Sequence, residues 1–449
     1  MNRLRIKVTT FALLSAFTAL TLVSAQQPQS QQKYTEADMP KLMDATWSEN
    51  VIGEGADPET IKSLLQRGQL IIINEHPKRV KWLITSGVLV NASPETIFKA
   101  IKDYENYPKF MPETENVSAK ELNGPNIVEL SMTLNIKVMK GISLPVKYSI
   151  IHYHRPPFRS DWTKSTGKFE ENSGFYQFVP VDGGKQTMLF YTIYTLPRIP
   201  IATDLFKKDP NLELVINMST AVMVCRALKK HVEKLEGRQP FVPMKSGDIV
   251  TVLSKDPKTV NLLLKRGGLI LLEEGPPMWA TTAVAMNQSP EEVFNIITDF
   301  ESYNCYQSQV VKTTVKARNQ VSAQVAFALD IDYALLRIPL KYTLAYTLNP
   351  PTTISWKWVE GDVPSQQGSW TLVPLEGGKR TLAFFRQTED LKTLPGLAGA
   401  GLRSAIAQEP TLEPAILGSQ ALIAARSTRD LINLPPAKRT ELINNCKKK

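Results

Sequence analysis

The chain has 449 residues, of which 53 are basic and 43 acidic, giving a formal net charge of +10. Part of the excess lies at the two ends of the chain, and no basic stripe of the kind that nucleic acid requires runs through the rest. We therefore expect no nucleic-acid partner. Three cysteines are too few for a disulfide framework in a protein of this size. Cys225 lies in an apolar helical pattern and is predicted to be a small core residue.

The N-terminal residues have the pattern of a secretory signal peptide. Arg3, Arg5 and Lys7 precede an apolar run over 11–23 that is short for a membrane span, and small residues follow up to Ala25. This pattern predicts a signal peptide over 1–25, cleavage near Ala25, and export to the periplasm or the medium. A disordered segment or linker is predicted over 26–56, where a Gln/Ser-rich stretch begins. The alternative is an uncleaved membrane anchor.

The first predicted elements after this segment are helices and strands of ordinary length. Asp57-Pro58 starts a helix that ends near Gly68, and strands follow at 70–73 and 80–90. Ser93-Pro94 starts the next helix. Residues 127–138 then alternate between apolar and polar, which is typical of an antiparallel sheet with one covered face. A hairpin is predicted at 182–185, and a long amphipathic helix over 211–237 closes the series.

The same series occurs twice. Residues 91–107 (NASPETIFKAIKDYENY) return as 287–303 (NQSPEEVFNIITDFESY), and Gly183-Gly184-Lys185 returns as Gly377-Gly378-Lys379. A period of about two hundred residues is too long for a solenoid repeat, so each copy is expected to be a domain. We predict a first domain over 57–238, a linker over 239–247, a second domain over 248–435, and a basic tail over 436–449.

Each copy is predicted to have an α+β fold of the helix-grip type, in which an antiparallel sheet wraps around a long C-terminal helix. The segment VNASPETIFKAIKDYENYPKFMPE, with its Ser-Pro-Glu helix start and Tyr107-Pro108-x-Phe110-x-Pro112, resembles the START-like (SRPBCC) superfamily. That superfamily includes polyketide cyclases, lipid-transfer domains and coenzyme Q-binding proteins. The second copy keeps Tyr303 but neither proline nor the phenylalanine. The leading elements at 57–73 and 256–272 lie outside the usual core of this superfamily.

The resemblance implies a cavity that accepts an extended hydrophobic small molecule or lipid, with no cofactor. The covered strand faces and the closing helix supply the residues predicted to line it. In the first copy these are Met132, Leu134, Ile136, Tyr148, Ile150, His152, Met218 and Val222. In the second copy they are Phe327, Leu329, Ile331, Tyr342, Leu344 and Tyr346. The alternative is that these side chains simply pack as core.

All four histidines lie in the first copy, at positions 76, 152, 154 and 231. His152 and His154 share one face of a predicted strand, and the second copy has Tyr346 and Leu348 there, so this face is predicted to point inward. The two imidazoles are candidates for hydrogen bonds to a ligand head group. A zinc site lacks a visible third ligand, and no metal site is predicted. Arg226 and Arg426 align on the closing helices, where each either meets an anionic head group or lies on the helix surface.

Three functions remain open. We find no nucleophile elbow, HExxH or phosphate loop, so no catalytic residue is assigned. The first hypothesis is an exported, non-catalytic binding or transfer protein for a lipid, isoprenoid or other hydrophobic small molecule. Its basic tail would also make transient contact with a membrane surface. The second hypothesis is an aromatase/cyclase-type enzyme that is active only in the first copy. The third is an interaction module whose cavities have collapsed.

Overall fold

The computed structural model describes residues 51, 56–75, 82–139, 142–197, 210–238, 256–264, 267–273, 275, 277–333, 336–408, 410 and 412–447. The predicted signal peptide, nearly all of the segment 26–56, His76 and the predicted linker 239–247 lie outside the described residues. The proposed domain boundaries therefore stay a prediction.

The first copy is built from the predicted elements, with longer strands than the sequence indicates. In chain order it contains α1 (Pro58–Leu65), β1 (Gly68–Glu75), β2 (Trp82–Val90), α2 (Pro94–Lys102), α3 (Tyr107–Phe110), β3 (Thr114–Glu121), β4 (Ile127–Met139), β5 (Ile142–Arg155), β6 (Arg159–Gly167), β7 (Phe169–Val181), β8 (Gln186–Pro197) and α4 (Pro210–Leu235). Short 3₁₀ turns occupy Tyr104–Asn106 and Asp182–Gly184.

The second copy repeats the strand order, has a 3₁₀ turn where the first copy has α3, and has two additional described helices, one before and one after its long helix. It contains α5 (Pro257–Leu264), β9 (Gly267–Glu273), β10 (Trp279–Met286), α6 (Pro290–Ile297), β11 (Val310–Arg318), β12 (Ser322–Tyr333), β13 (Leu336–Asn349), β14 (Thr353–Gly361), β15 (Gln367–Leu375), β16 (Arg380–Thr388), α7 (Gly396–Gln408), α8 (Leu412–Ile432) and α9 (Pro436–Lys447). Short 3₁₀ turns occupy Phe300–Cys305, Glu376–Gly378 and Leu391–Thr393.

The helix starts follow from side-chain caps. The Ser93 hydroxyl accepts a hydrogen bond from the backbone N–H of Thr96 at 3.3 Å, and the Ser289 hydroxyl accepts from Glu292 N–H at the same distance. Asp57 caps α1 in the same way through Thr60 N–H at 2.9 Å. Each cap satisfies a backbone donor that has no partner within its helix. These starts are therefore dictated locally by the sequence.

All described strands form one antiparallel sheet of sixteen strands. The copies join where β1 pairs with β9, with Ile71 opposite Ile270. Side chains of α1 and α5 add to this joint, because Asp57 N–H donates to Thr259 Oγ1 at 2.8 Å and Thr60 Oγ1 donates to Asp256 Oδ2 at 3.1 Å. The leading elements, which lie outside the usual core of the family, thus connect the two copies.

The long helices pack on one side of this sheet. Helix α4 lies against β2 and β8, and α8 lies against β9, β10 and β16. The two helices also touch each other, and a Cβ placed on Gly418 would lie 3.5 Å from Met218 Cε. Most buried apolar residues of both copies belong to a single core, which includes Cys225 with no exposed surface. The predicted α+β class with an antiparallel sheet is confirmed, as is the core position of Cys225.

The segment predicted as a basic tail is a helix. Helix α9 has no buried residue, and Arg439 Nη2 pairs with Glu292 Oε1 at 2.7 Å. A disulfide joins Cys446 in this helix to Cys305 after α6, a pairing that the sequence analysis did not anticipate. Among the described residues, no helix is both long enough and apolar enough to cross a membrane.

Candidate functional site

In the first copy, five of the predicted lining residues belong to the apolar core. Met218 and Val222 on helix α4 are fully buried, and Ile150 on β5 is nearly so. Met132 and Tyr148 are partly buried and pack against the same core. Their assignment as the lining of a ligand cavity stays a prediction.

The remaining first-copy predictions have different outcomes. Leu134 is partly exposed and is not among the residues packed against that core, which leaves its assignment to a cavity unsupported. For Ile136 the structure gives only the strand position on β4. His152 is buried, as is His154, so the inward orientation predicted for this face of β5 is confirmed.

A chain of hydrogen bonds holds the two histidines. His152 Nδ1 and His154 Nδ1 lie 3.0 Å and 2.9 Å from the hydroxyl oxygen of Ser160 on β6. The Tyr104 hydroxyl lies 2.5 Å from His154 Nε2. Because the serine carries one proton, it donates to one imidazole and accepts from the other. The two histidines must therefore hold complementary tautomers.

Both imidazoles are held neutral. Burial lowers the pKa of His154 to about 4, with a further contribution from the positive charge of Lys102. Burial also lowers the pKa of His152 well below its ordinary value, and the neighbouring His154 adds to this effect. At neutral pH the two imidazoles of this hydrogen-bonded series therefore carry no charge.

Aromatic rings fill the space beside this chain. The Trp162 ring centroid lies 5.3 Å from that of Tyr176 and 5.2 Å from that of Tyr191. The Trp162 indole N–H donates to Asn172 Oδ1 at 3.3 Å. Large rings in mutual contact leave little free volume. In this part of the first copy, the Trp162 indole N–H and the Nδ1 atoms of the two imidazoles find their partners within the protein.

The motif that carries the family resemblance has a structural role. The Tyr107 hydroxyl donates to the Ile101 carbonyl at 2.5 Å, and the Tyr303 hydroxyl donates to the Ile297 carbonyl at 2.6 Å. Each tyrosine thereby satisfies a carbonyl at the end of a helix. Phe110 of the same motif stacks on His231, with ring centroids 3.8 Å apart.

The aligned arginines lie on the long helices, partly buried. Arg226 Nε donates to Gln69 Oε1 at 2.7 Å, and Gln69 Nε2 donates in turn to Ser86 Oγ at 2.7 Å. These bonds tie α4 to β1 and β2, at the joint between the copies. Of the two alternatives left open for Arg226, a head-group contact or a place on the helix surface, the structure decides neither and adds a connecting role through Gln69.

The second copy contains a cavity of about 120 Å³ between its sheet and helix α8. Five of the six predicted lining residues of this copy border it, namely Phe327, Leu329, Tyr342, Leu344 and Tyr346. For Ile331 the structure gives only the strand position on β12. A dry cavity of roughly 150 Å³ accommodates benzene. The volume here is about four-fifths of that, which is of the order needed for a small ring or for one end of a longer molecule.

The lining also contains polar residues that the sequence analysis did not assign. They are Gln307, Gln309, Gln366, Gln387, Glu389 and Gln420. Gln366 Nε2 donates weakly to the Tyr342 hydroxyl at 3.4 Å, while its Oε1 is buried with no hydrogen-bond partner among the described residues. The same holds for the indole N–H of Trp356 in this lining.

Glu389 is the acidic residue of this lining. It follows the last residue of β16, and its Oε1 is buried and accepts no hydrogen bond from the described residues. Burial raises the pKa of its carboxyl to about 7, an effect that a hydrogen bond from Gln420 on α8 partly offsets. A signal was available in the sequence, because alternation along β16 places Glu389 on the inward face with Phe385 and Gln387.

The structure also bears on metal binding. Among the described residues, no group of three or more histidine, cysteine, aspartate or glutamate side chains is arranged to hold a metal ion. His152 and His154 use their Nδ1 atoms on Ser160, as described above.

The sequence matches the family described as "Polyketide cyclase / dehydrase and lipid transport" twice, over residues 90–213 and 286–407. These matches fall within the two copies and together cover more than half of the chain. The chain therefore belongs to the polyketide cyclase/dehydrase and lipid transport family, as a tandem pair of START-like domains.

Similar solved structures include di-domain proteins. The ARO/CYC BexL from the BE-7585A biosynthetic pathway is 13% identical, covers 79% of this chain and 99% of its own, and gives a TM-score of 0.28. The ARO/CYC StfQ from the steffimycin pathway is 12% identical, covers 78% and 97%, and gives 0.25. A STAR-related lipid transfer protein from Xanthomonas axonopodis is 12% identical, covers 37% and 93%, and gives 0.27. These scores describe only a loose likeness. No curated protein sequence matches the chain significantly.

Proposed function

We propose that this protein is an exported, non-catalytic carrier of a hydrophobic small molecule, such as a lipid or isoprenoid. Each copy is a helix-grip domain in which the sheet curves around its long helix, and most of the ligand is held between these two layers in the second copy. The observation that carries this proposal is the second-copy cavity, since five residues predicted as lining from sequence alone border it. The family description, which includes lipid transport, supports the same ligand class.

Apolar contact provides most of the affinity in such a site. Burial of apolar surface contributes about 25 cal/mol per Å², and a few polar groups fix the ligand's orientation. The second-copy lining has this composition, with aromatic and aliphatic side chains and a limited polar group around Glu389. A charged substitution on its apolar part is unfavourable for binding, because an apolar ligand offers the charge no partner.

The direct experiment is extraction of the protein purified from its native compartment, followed by mass spectrometry of the released molecules. Ala424 lines the cavity, and Val224 occupies the equivalent position on α4. We expect Ala424→Phe to fill the cavity and reduce the recovered ligand severalfold, whereas Val224→Phe leaves its amount unchanged. Recovery of no bound apolar molecule from the wild-type protein would contradict the carrier function.

Export is a separate part of the proposal. The N-terminal pattern predicts cleavage near Ala25, and the Cys305–Cys446 disulfide supports an oxidising compartment, where such bonds persist. The mature protein is expected to begin at Gln26, as intact-mass measurement would show. A full-length cytosolic product with both cysteines reduced would argue against export.

Delivery of the ligand is a further part of the proposal. It involves transient contact of the basic C-terminal segment with anionic membranes, which vesicle co-sedimentation tests.

The hydrogen-bond chain Tyr104–His154–Ser160–His152 favours a second candidate, a cyclase-type enzyme confined to the first copy. A buried neutral imidazole is suited to general acid–base work when a substrate reaches it. His152→Phe discriminates between the two functions. In an enzyme this change removes turnover while substrate still binds, whereas in a carrier it changes only the selectivity among ligand head groups.

A further inference from the structure

The polar part of the second-copy cavity has an unusual composition. It contains five glutamines and one glutamate, and no lysine, arginine or histidine is among its described lining residues. Amide groups donate and accept hydrogen bonds without carrying charge. An anionic head group that entered this cavity would therefore lose its hydration without meeting a counter-ion, which is strongly unfavourable.

Glu389 is placed to make a hydrogen bond that the protein itself does not complete. Its Oε1 is buried and accepts no hydrogen bond from the described residues, while Gln420 reaches the carboxyl from α8. Gln366 Oε1 and the Trp356 indole N–H are also buried without partners in the part of the chain that the structure describes. Buried polar groups without partners are uncommon in folded proteins, and several of them around one cavity leave hydrogen-bonding capacity for a polar ligand.

The charged groups near Glu389 are occupied elsewhere. On the turn that follows it, Asp390 Oδ1 accepts from the backbone N–H of Lys392, and Lys392 Nζ pairs with Glu413 Oε2 of α8 at 3.0 Å. The other titratable groups of the lining are the phenols of Tyr303, Tyr342 and Tyr346, and burial raises the pKa of each. No lining residue therefore neutralises an ionised Glu389.

We propose that the protonated carboxyl of Glu389 donates a hydrogen bond to an oxygen of a neutral apolar ligand, so that the second cavity selects carbonyl- or hydroxyl-bearing molecules over anionic ones. This inference rests on the proposed carrier function and adds to it the polar chemistry of the ligand. Gln366 and Gln420 provide further neutral contacts beside the acid.

The proton on Glu389 then controls binding. Its pKa of about 7 makes the carboxyl a donor in mildly acidic solution and an acceptor-only carboxylate above neutrality. When only the protonated form holds the ligand oxygen, the apparent affinity falls about tenfold for each pH unit above the pKa. The ligand would be held at pH 6 and released at pH 8.

Three probes of nearly equal size separate these effects in the full-length mature protein. Acetophenone carries a neutral carbonyl, ethylbenzene lacks the oxygen, and benzoate is an anion over the whole pH range used. We expect the affinity for acetophenone, measured by NMR titration, to fall about tenfold between pH 6 and pH 8. Ethylbenzene is expected to show no such change, and benzoate to bind at least tenfold more weakly than acetophenone at pH 6.

The variant Glu389→Gln keeps the shape and the neutral hydrogen-bonding capacity but does not titrate. We expect it to bind acetophenone with equal affinity at pH 6 and pH 8. Thr195→Val, at the equivalent position of the first copy, is the matched control and is expected to keep the wild-type pH dependence.

Identical affinities for acetophenone and ethylbenzene at both pH values would overturn the role of Glu389 and leave the carrier proposal intact. The role of Glu389 would also be overturned, with the carrier proposal intact, if the Glu389→Gln variant still lost affinity for acetophenone tenfold between pH 6 and pH 8. Failure of the wild-type protein to bind either neutral probe would overturn both proposals.

Discussion

In both copies a tryptophan of the sheet lies against a glycine of the neighbouring strand. A Cβ on Gly174 would overlap the Trp162 ring, and a Cβ on Gly368 would overlap the Trp356 ring. Around this shared pair the two interiors differ. In the first copy, the Trp162 indole N–H donates to Asn172 Oδ1. In the second copy, Gln366 stands in place of Asn172 and donates to the Tyr342 hydroxyl instead. The Trp356 indole N–H therefore has no partner among the described residues.

A second difference concerns the titratable groups. The first copy buries His152 and His154, which are replaced by Tyr346 and Leu348 in the second. The second copy buries the carboxyl of Glu389 where the first has Thr195, whose hydroxyl donates to Asn217 Oδ1 at 2.8 Å. One backbone framework thus supports a histidine–serine hydrogen-bond chain in one copy and a cavity lined by glutamines and an acid in the other. A few polar substitutions, and not a change of fold, separate them.

The largest expected effect comes from truncating the shared tryptophan. Replacing a buried tryptophan with alanine costs roughly 3–5 kcal/mol of unfolding free energy. We expect Trp162→Ala to lie in this range and Trp356→Ala to cost about 1 kcal/mol less, because only Trp162 also loses a hydrogen bond to a buried partner. Chemical denaturation of both variants measures the difference. Equal losses would show that the two environments are energetically alike.

The next largest effect is a gain in stability when Glu389 is replaced by glutamine. Glu389 has an ordinary pKa of 4.5 and a folded-state pKa of about 7, so between these values the folded protein binds the proton more tightly. Its contribution to stability therefore falls as pH rises from 4.5 to 7, by about 3 kcal/mol in total. We expect Glu389→Gln to be more stable than the wild type by this order at pH 8 and to lose the advantage near pH 4. Denaturation curves at the two pH values test this, and a constant difference would contradict it.

His154 makes folding stability depend on pH in the opposite direction from Glu389. Since the pKa of His154 is lowered from 6.5 to about 4, the unfolded chain binds its proton first, and stability falls as pH drops below 6.5. Between pH 7 and pH 5 this amounts to about 2 kcal/mol. His154→Leu, which introduces the residue of the second copy, is expected to reduce this acid-dependent loss. An unchanged slope in denaturation measurements would mean that other groups cause it.

The smallest effect is expected where the helices of the two copies meet. Met218 on α4 approaches Gly418 on α8, and a Cβ on Gly418 would lie 3.0 Å from the flexible end of Leu272. Gly418→Ala gains up to about 1 kcal/mol in helix propensity and loses a similar amount through crowding, so its net effect is expected to stay within about 0.5 kcal/mol. Gly418→Leu is the control that overpacks the contact. A loss above about 2 kcal/mol for the alanine variant would show that this contact cannot relax.

Whether a feature could be predicted from the sequence depends on how far apart in the chain its interacting residues lie. The alternation at 127–138 locates β4, and the caps at Ser93 and Ser289 locate helix starts, because both signals act over a few residues. The cavity acid was missed because its burial depends on α8, whose contact with β16 no local pattern specifies. The Cys305–Cys446 pair was missed for the same reason, since its partners are 141 residues apart.

The pairing of β1 with β9 has a consequence for how this chain arose. Ile71 and Ile270 are equivalent residues of the repeat and lie opposite each other, and the Asp57–Thr259 and Thr60–Asp256 bonds exchange equivalent partners. Such mutual contacts are those of a two-fold, self-complementary interface. The arrangement is therefore that expected of an ancestral homodimer whose subunits became fused by gene duplication. A single copy expressed alone would expose this edge strand, and we expect it to reassociate with its own twin. A stable monomer in sedimentation experiments would contradict this history.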